Sequence, residues 1–128
     1  MSARILLAAL ALAYGASAAK ADDGAYRACV GKAGGNVAAL ARCGEERVAR
    51  ANVALDQALK SALADMPGES ARKALAEEQG AWTAFRDASC RMFSSADFPG
   101  DVGAISFAVC RAGVIEARAK HLKSLTDN

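Results

Sequence analysis

Four cysteines and a single histidine are the residues of this 128-residue chain with the most distinctive chemistry. Cys29, Cys43, Cys90 and Cys110 are spread along the sequence, and no two of them form a closely spaced pair. Zinc sites and thiol redox sites normally use cysteines only a few residues apart. The even count and the wide spacing therefore predict two structural disulfides, with no metal site and no redox motif.

The other candidates for catalysis do not assemble into a recognisable site. His121 lies near the carboxyl end of a predicted helix, where a cation interacts favourably with the helix dipole. The acidic pairs Glu45-Glu46 and Glu77-Glu78 are adjacent in sequence, so on a helix their side chains point about 100° apart. No phosphate-binding loop, zinc-protease motif or nucleophile elbow is present. We expect no enzymatic activity and no cofactor.

The amino-terminal segment has the pattern of an export signal. Arg4 precedes an unbroken apolar run from Ile5 to Ala13, and small residues continue to Ala21. The alternative, a membrane anchor, needs about 20 apolar residues, and this run is shorter. The sequence therefore predicts a signal peptide over residues 1–21, cleaved after Ala18 or Ala21. A domain of residues 22–128, periplasmic or secreted and without a stable membrane anchor, is expected to remain.

Removal of the predicted signal changes the charge of the molecule. The full chain has 16 basic and 14 acidic residues and a formal net charge of +2. Two of the basic residues, Arg4 and Lys20, lie within residues 1–21, so the predicted domain is neutral. A neutral domain lacks the basic field of a nucleic-acid-binding protein.

Helical periodicity extends over most of the predicted domain. Apolar residues recur at spacings of three and four from Asn36 to about Ala64, from Glu69 or Ser70 to Met92, and from about Asp101 to Leu125. Asn36 and Asp101 are predicted amino-terminal caps, and a shorter helix is expected from Ala25 to Lys32. We predict an all-α fold, a small antiparallel bundle of three main helices plus this short amino-terminal helix.

The predicted turns favour one of the three possible cysteine pairings. Cys90 and Cys110 flank the Pro99-Gly100 turn almost symmetrically, and such positions lie side by side in a helical hairpin. Cys29 and Cys43 flank the glycine-rich turn at residues 31–35 less evenly. We predict the disulfides Cys90–Cys110 and, by remainder, Cys29–Cys43.

Bulky side chains concentrate around the predicted Pro99-Gly100 turn. Trp82, Phe85 and Met92 share one helix face, which we interpret as core because the chain is rich in alanine. Phe98 lies in this turn, between Asp97 and Asp101. This tip either inserts into a binding partner or folds back over its own bundle.

The segment from Gln79 to Cys90, with the string W-x-x-F-R-D-x-x-C, resembles the signature of the LprI-like family of lysozyme inhibitors. Cys110, Arg118 and Leu122 resemble that family's closing segment, although Ile115 stands where the family has threonine. Cys43 and Leu55-Asp56 are similar to its upstream positions, with Asp56 in place of asparagine. The matching motif residues are Gln79, Trp82, Phe85, Arg86, Asp87, Arg118 and Leu122.

The resemblance implies an exported, disulfide-bonded helical domain that binds lysozyme or another cell-wall hydrolase. Lysozymes are commonly basic, so an inhibitor gains association rate from acidic residues. Because the predicted domain is neutral, such an inhibitor needs a local acidic surface, and Asp97, Phe98 and Asp101 are the predicted contact. The alternative is a structural or stress-related helical protein of the bacterial envelope without an inhibitory role.

Overall fold

The computed structural model describes residues 17–127, with side chains from residue 24 onward. The elements are α1 (Ser17–Ala33), α2 (Val37–Asp65), α3 (Glu69–Ala88), a 3₁₀ helix (Arg91–Ser94) and α4 (Gly100–Ser124). Within residues 17–127 there is no strand, so the all-α prediction is confirmed. Across the same range, no helix has both the length and the apolar character required to cross a bilayer.

The predicted export signal lies mostly outside the described residues. The apolar run over residues 5–13 belongs to the part of the chain that is not described. Both predicted cleavage positions, Ala18 and Ala21, fall within α1. The helix expected from Ala25 to Lys32 is longer in the structure, where α1 extends over Ser17–Ala33.

Turn chemistry sets the limits of α2 as predicted. Gly34 and Gly35 have φ values of 55° and 80°, which glycine adopts without the steric cost that a side chain would add. Asn36 then caps the helix, its side chain accepting a hydrogen bond of 2.9 Å from the Ala39 amide. At the other end Met66 is extended, as expected for a residue before proline.

Two predicted helix limits on either side of the Pro99-Gly100 turn are wrong. The α3 helix ends at Ala88, not at Met92, because Ser89 is extended and Cys90 takes a left-handed conformation with φ of 71°. The α4 helix begins at Gly100 after Pro99, so Asp101 lies in its first turn and is not its cap. Asp101 still stabilises the helix there, since acidic residues interact favourably with the amino-terminal dipole.

The core forms mainly between α2 and α4, which run in the same direction with α3 antiparallel to both. A Cβ built on Gly44 would lie 2.8 Å from the Ala108 Cβ, and farther along both helices Arg47 bonds to Glu116. The buried cluster is alanine-rich and contains one residue of α3: Ala51, Leu55, Ala58, Ala62, Leu75, Ile115, Ala119 and Leu122. Small side chains on both helices let their backbones approach closely.

Both predicted disulfides are confirmed. Cys29–Cys43 joins α1 to α2 with a Cα–Cα distance of 5.7 Å, and Cys90–Cys110 joins the end of α3 to α4 at 5.9 Å. Cys43 and Cys90, one residue of each disulfide, are buried. Each bond ties in an element that contributes little to the buried cluster, since α1 supplies no residue to it and α3 supplies one.

The interpretation of Phe85 and Met92 as core residues is wrong. Phe85 is 60% exposed and Met92 is 62% exposed. Met92 lies in the 3₁₀ helix, where the α-helical periodicity no longer applies. Phe85 remains in α3, but that helix reaches the core through Leu75 and Trp82 and approaches α4 closely at few points.

Candidate functional site

The corner between α3 and α4 is built around the Cys90–Cys110 disulfide. The Ser89 hydroxyl donates a hydrogen bond of 2.7 Å to the Phe85 carbonyl, and the Ser89 amide donates to the same oxygen. These bonds satisfy the Phe85 carbonyl in the last turn of α3. The left-handed conformation of Cys90 then redirects the chain into the 3₁₀ helix. The disulfide holds this turn against α4.

Asp87 gathers arginines from three elements at this corner. Its Oδ1 lies 2.9 Å from Nη2 of Arg86 and 3.2 Å from Nη2 of Arg111 on α4. The Asp87 carbonyl accepts a further bond of 3.0 Å from Nε of Arg91. The hydrogen bond from Arg86 is the main cause that lowers the pKa of Asp87, and Arg111 acts in the same direction. Asp87 is thus an electrostatic anchor of the corner.

A second polar cluster joins the middle of α3 to α4. Arg118, whose side chain is only 6% exposed, donates 2.6 Å to Glu78 Oε1 and 2.9 Å to Gln79 Oε1. Its guanidinium lies over the Trp82 ring at 5.9 Å from the centroid. Nη2 of Arg118 is shielded from solvent and has no hydrogen-bond partner among the described residues. A buried donor without an acceptor costs about 1–3 kcal/mol.

The predicted contact loop folds partly back over the bundle. The ring of Phe98 meets that of Phe93 edge-on, with 5.0 Å between centroids, and Phe98 is half-buried. Asp97 and Asp101 on either side of it are exposed. Of the two arrangements considered for this tip, the structure has the one in which Phe98 packs on its own domain and the two carboxylates face solvent.

A shallow groove of about 520 Å³ opens beside this loop. Its walls come from the first half of α2, the 3₁₀ helix with the loop that follows it, and the first half of α4. Phe93, Phe98 and Phe107 are its aromatic lining residues. Glu45 and Arg111 provide charged groups at the lining. We define the loop face as this groove together with Asp97 and Asp101.

Close packing at Gly103 positions the loop face, a feature that the sequence analysis missed. A Cβ built on Gly103 would lie 2.4 Å from the Phe93 carbonyl oxygen and 3.4 Å from the Phe98 Cβ. Only glycine lets the 3₁₀ helix approach α4 so closely. The run of small residues Gly100, Gly103 and Ala104 was the available sequence signal for this contact.

An ion pair between α2 and α4 was also missed. Arg47 makes two hydrogen bonds of 2.8 Å to the Glu116 carboxylate, and its guanidinium lies 5.1 Å from the centre of the Tyr26 ring. The three residues come from α1, α2 and α4. Their separation in sequence, 69 residues between Arg47 and Glu116, left no local pattern to recognise.

Five of the seven motif residues of the sequence analysis fall into two groups in the structure. Gln79, Trp82 and Arg118 meet in the polar cluster, while Arg86 and Asp87 form the corner beside the disulfide. Leu122 is fully buried in the core, and Phe85 is exposed. None of them belongs to the loop face, so the motif and the predicted partner contact are separate surfaces.

Together, the two disulfides and the shared core define a small disulfide-bonded helical domain with an exposed loop face. The sequence profile of the lysozyme inhibitor LprI family matches residues 29–122, and the chain belongs to this family. The members of this family are inhibitors and not enzymes, and membership implies a lysozyme-inhibitor-like function. Neither the curated proteins nor the solved structures contain a significant match.

Proposed function

We propose that this protein is an exported inhibitor that blocks lysozyme or a similar cell-wall hydrolase with its loop face. The observation that carries the proposal is the family match over residues 29–122, which contains the whole of this face. Two exposed carboxylates, Asp97 and Asp101, flank Phe98 at its edge, and Glu45 lies in the groove. This local acidity supports attraction to a basic hydrolase although the predicted domain is neutral overall.

Packing of Phe98 against Phe93 supports a rigid contact surface. Since the Phe98 ring already packs against Phe93, it should lose little conformational freedom on binding. The acidic groups then steer the basic partner toward the loop face and fix its orientation, and the apolar groove supplies most of the buried contact area. The partner is accordingly a protein with a basic surface beside a protruding apolar side chain.

An export route to the compartment of cell-wall hydrolases belongs to the same proposal. Disulfides persist in oxidising compartments, and this domain has two of them. We propose cleavage of residues 1–21 after Ala18 or Ala21, with release into the periplasm or medium. Intact-mass measurement of the exported protein distinguishes the two positions, and retention of the first 17 residues contradicts both.

The test is lysis of a cell-wall suspension by lysozyme, followed by turbidity at low ionic strength with increasing amounts of the purified protein. Protection that saturates near one inhibitor per lysozyme and weakens with salt is expected. The double variant D97N/D101N should raise the apparent Kd roughly 2- to 30-fold, since each exposed ion pair contributes about 0.2–1 kcal/mol.

The matched control is D56N/D65N, which removes the same charge from two exposed positions on α2 outside the groove lining. This variant should inhibit like the wild type. Equal losses in both double variants would indicate a nonspecific charge effect. No protection at a large molar excess would remove lysozyme as the target and favour the non-inhibitory envelope role.

A further inference from the structure

A second surface depression lies between α3 and α4, on residues that the loop face does not use. This trough has a volume of about 580 Å³, within the range of sites for small organic ligands. Its floor consists of the small residues Gly113 and Ala117 on α4, and Trp82 and Phe85 of α3 border it. No residue of this trough lines the groove of the loop face.

Arg118 gives the trough a specific chemical preference. Its side chain is more than nine-tenths buried and lines the trough, and its Nη2 lacks an acceptor among the described residues. Its Nη1 and Nε are already used by Glu78 and Gln79. The remaining requirement is therefore one more oxygen acceptor, which a carboxylate fulfils with a charge-assisted hydrogen bond.

The apolar walls specify the rest of the ligand. The Trp82 ring is half-buried and Phe85 is 60% exposed, so both offer ring surface to a molecule in the trough. Because Nη2 is shielded from solvent, the groups around it must shift when the carboxylate oxygen arrives. Phe85 and His121 are both exposed, line the trough and lie outside the buried core cluster, so their movement would not disturb the core.

We propose that the trough between α3 and α4 binds a small amphiphilic carboxylate. The apolar part of the ligand lies against Trp82 and Phe85, above Gly113, and one carboxylate oxygen accepts a hydrogen bond from Arg118. This site is independent of hydrolase inhibition, since it uses neither the groove nor the acidic residues of the loop face.

Trp82 is the only tryptophan of the chain, so its fluorescence reports directly on the trough. The probe is 8-anilino-1-naphthalenesulfonate, an apolar ring system with an anionic oxygen group, titrated into the intact protein. Saturable quenching of Trp82 with one probe per chain is expected. The uncharged N-phenyl-1-naphthylamine has the same rings and should bind roughly tenfold more weakly, as expected without a hydrogen bond to a charged donor.

Gly113 permits a blocking variant that does not threaten the fold. A Cβ built there has no neighbour within 4 Å, and leucine favours helix more than glycine does. G113L should therefore fold and bind the probe at least tenfold more weakly. The matched control is G80L, at an exposed glycine of α3 that is equally free of neighbours and does not line the trough. It should bind like the wild type.

Two further variants separate the contributions of ring and charge. F85A removes an exposed wall and should weaken the probe several-fold without unfolding the protein. R118M should abolish the preference for the anionic probe over the neutral one. Wild-type affinity in G113L, an unchanged preference in R118M, or quenching that does not saturate would each overturn the proposal.

Competition identifies the source of the carboxylate. Octanoate represents an acyl chain, and N-acetylphenylalanine represents the carboxyl end of a peptide with an aromatic residue. Displacement of the probe by either compound supports the site and assigns the ligand class. Failure of both compounds to displace it at millimolar concentration would overturn the carboxylate assignment.

Discussion

Replacement of Gly103 by alanine tests the packing that forms the loop face. The added Cβ would lie 2.4 Å from the Phe93 carbonyl oxygen, whereas carbon–oxygen contacts are ordinarily about 3.3 Å or longer. Backbone on one side and helix on the other leave no flexible side-chain end to absorb this difference. Overpacking of this kind costs about 1–3 kcal/mol. We expect G103A to lower the free energy of unfolding.

Two glycines of the same helix supply the controls for helix propensity. Gly100 shares the first turn of α4 with Gly103, Gly113 lies in mid-helix, and neither has a neighbour within 4 Å of a built Cβ. G113A should gain up to about 1 kcal/mol from propensity, and G100A should change little or gain slightly. The difference between G103A and these variants isolates the contact with the 3₁₀ helix.

Urea unfolding followed by helical circular dichroism measures these differences. A domain of this size shifts its Tm by roughly 4 °C per kcal/mol, so thermal melts should separate G103A from G113A by several degrees or more. Equal stability of G103A and G100A would refute the close approach of Phe93 to α4. It would also remove the structural basis for the ordered position of Phe98.

Three further perturbations test the corner and the polar cluster. Loss of the disulfide in C90S/C110S should reduce the free energy of urea unfolding by about 3 kcal/mol, from its sequence separation of 20, and a loss below about 1 kcal/mol would contradict this. R118M should change the free energy of unfolding by less than about 1 kcal/mol. E78A should lose about 1–3 kcal/mol because it leaves the buried guanidinium without its carboxylate. Urea denaturation of both variants at pH 7 shows whether E78A is the less stable of the two. Since the arginines lower the pKa of Asp87 below 3.8, its contribution to stability is complete above that value and is lost as pH falls through the lower folded pKa. The stability difference between wild type and D87N should therefore shrink below pH 4, and a constant difference from pH 6 to pH 2 would exclude the proposed anchor.

The limits of α2 and both disulfides were predictable because local chemistry determines them. Asn36 caps α2, the extended Met66 before a proline ends it, and the near-symmetric positions of Cys90 and Cys110 about one turn predicted their pairing. Each of these features depends on a few neighbouring residues or on the geometry of a single hairpin. The sequence contains that information directly.

The exposure of Phe85 was not predictable in the same way. Periodicity shows which residues share a helix face, but it does not show how wide a face the neighbouring helices cover. Here α3 approaches α4 closely at few points, so Leu75 is buried while Phe85, on the same predicted face, remains open. The end of α3 at Ala88 likewise depends on the left-handed conformation of Cys90. Non-glycine residues rarely adopt this conformation, and no local sequence pattern predicted it.

The motif that carries the family resemblance stabilises the framework more than it defines the target. Asp87 holds three arginines at the corner, and Arg118 links α3 to α4 beside Trp82. Such interactions maintain the fold whatever the partner is, so family members can share them and still differ in what they bind. The loop face lies outside the motif, and its exposed carboxylates are free to change without loss of these contacts. On the proposed binding mode, target choice should follow the loop between the 3₁₀ helix and the first turn of α4. Exchange of residues 95–101 between family members should then transfer specificity while the stability of the domain is retained.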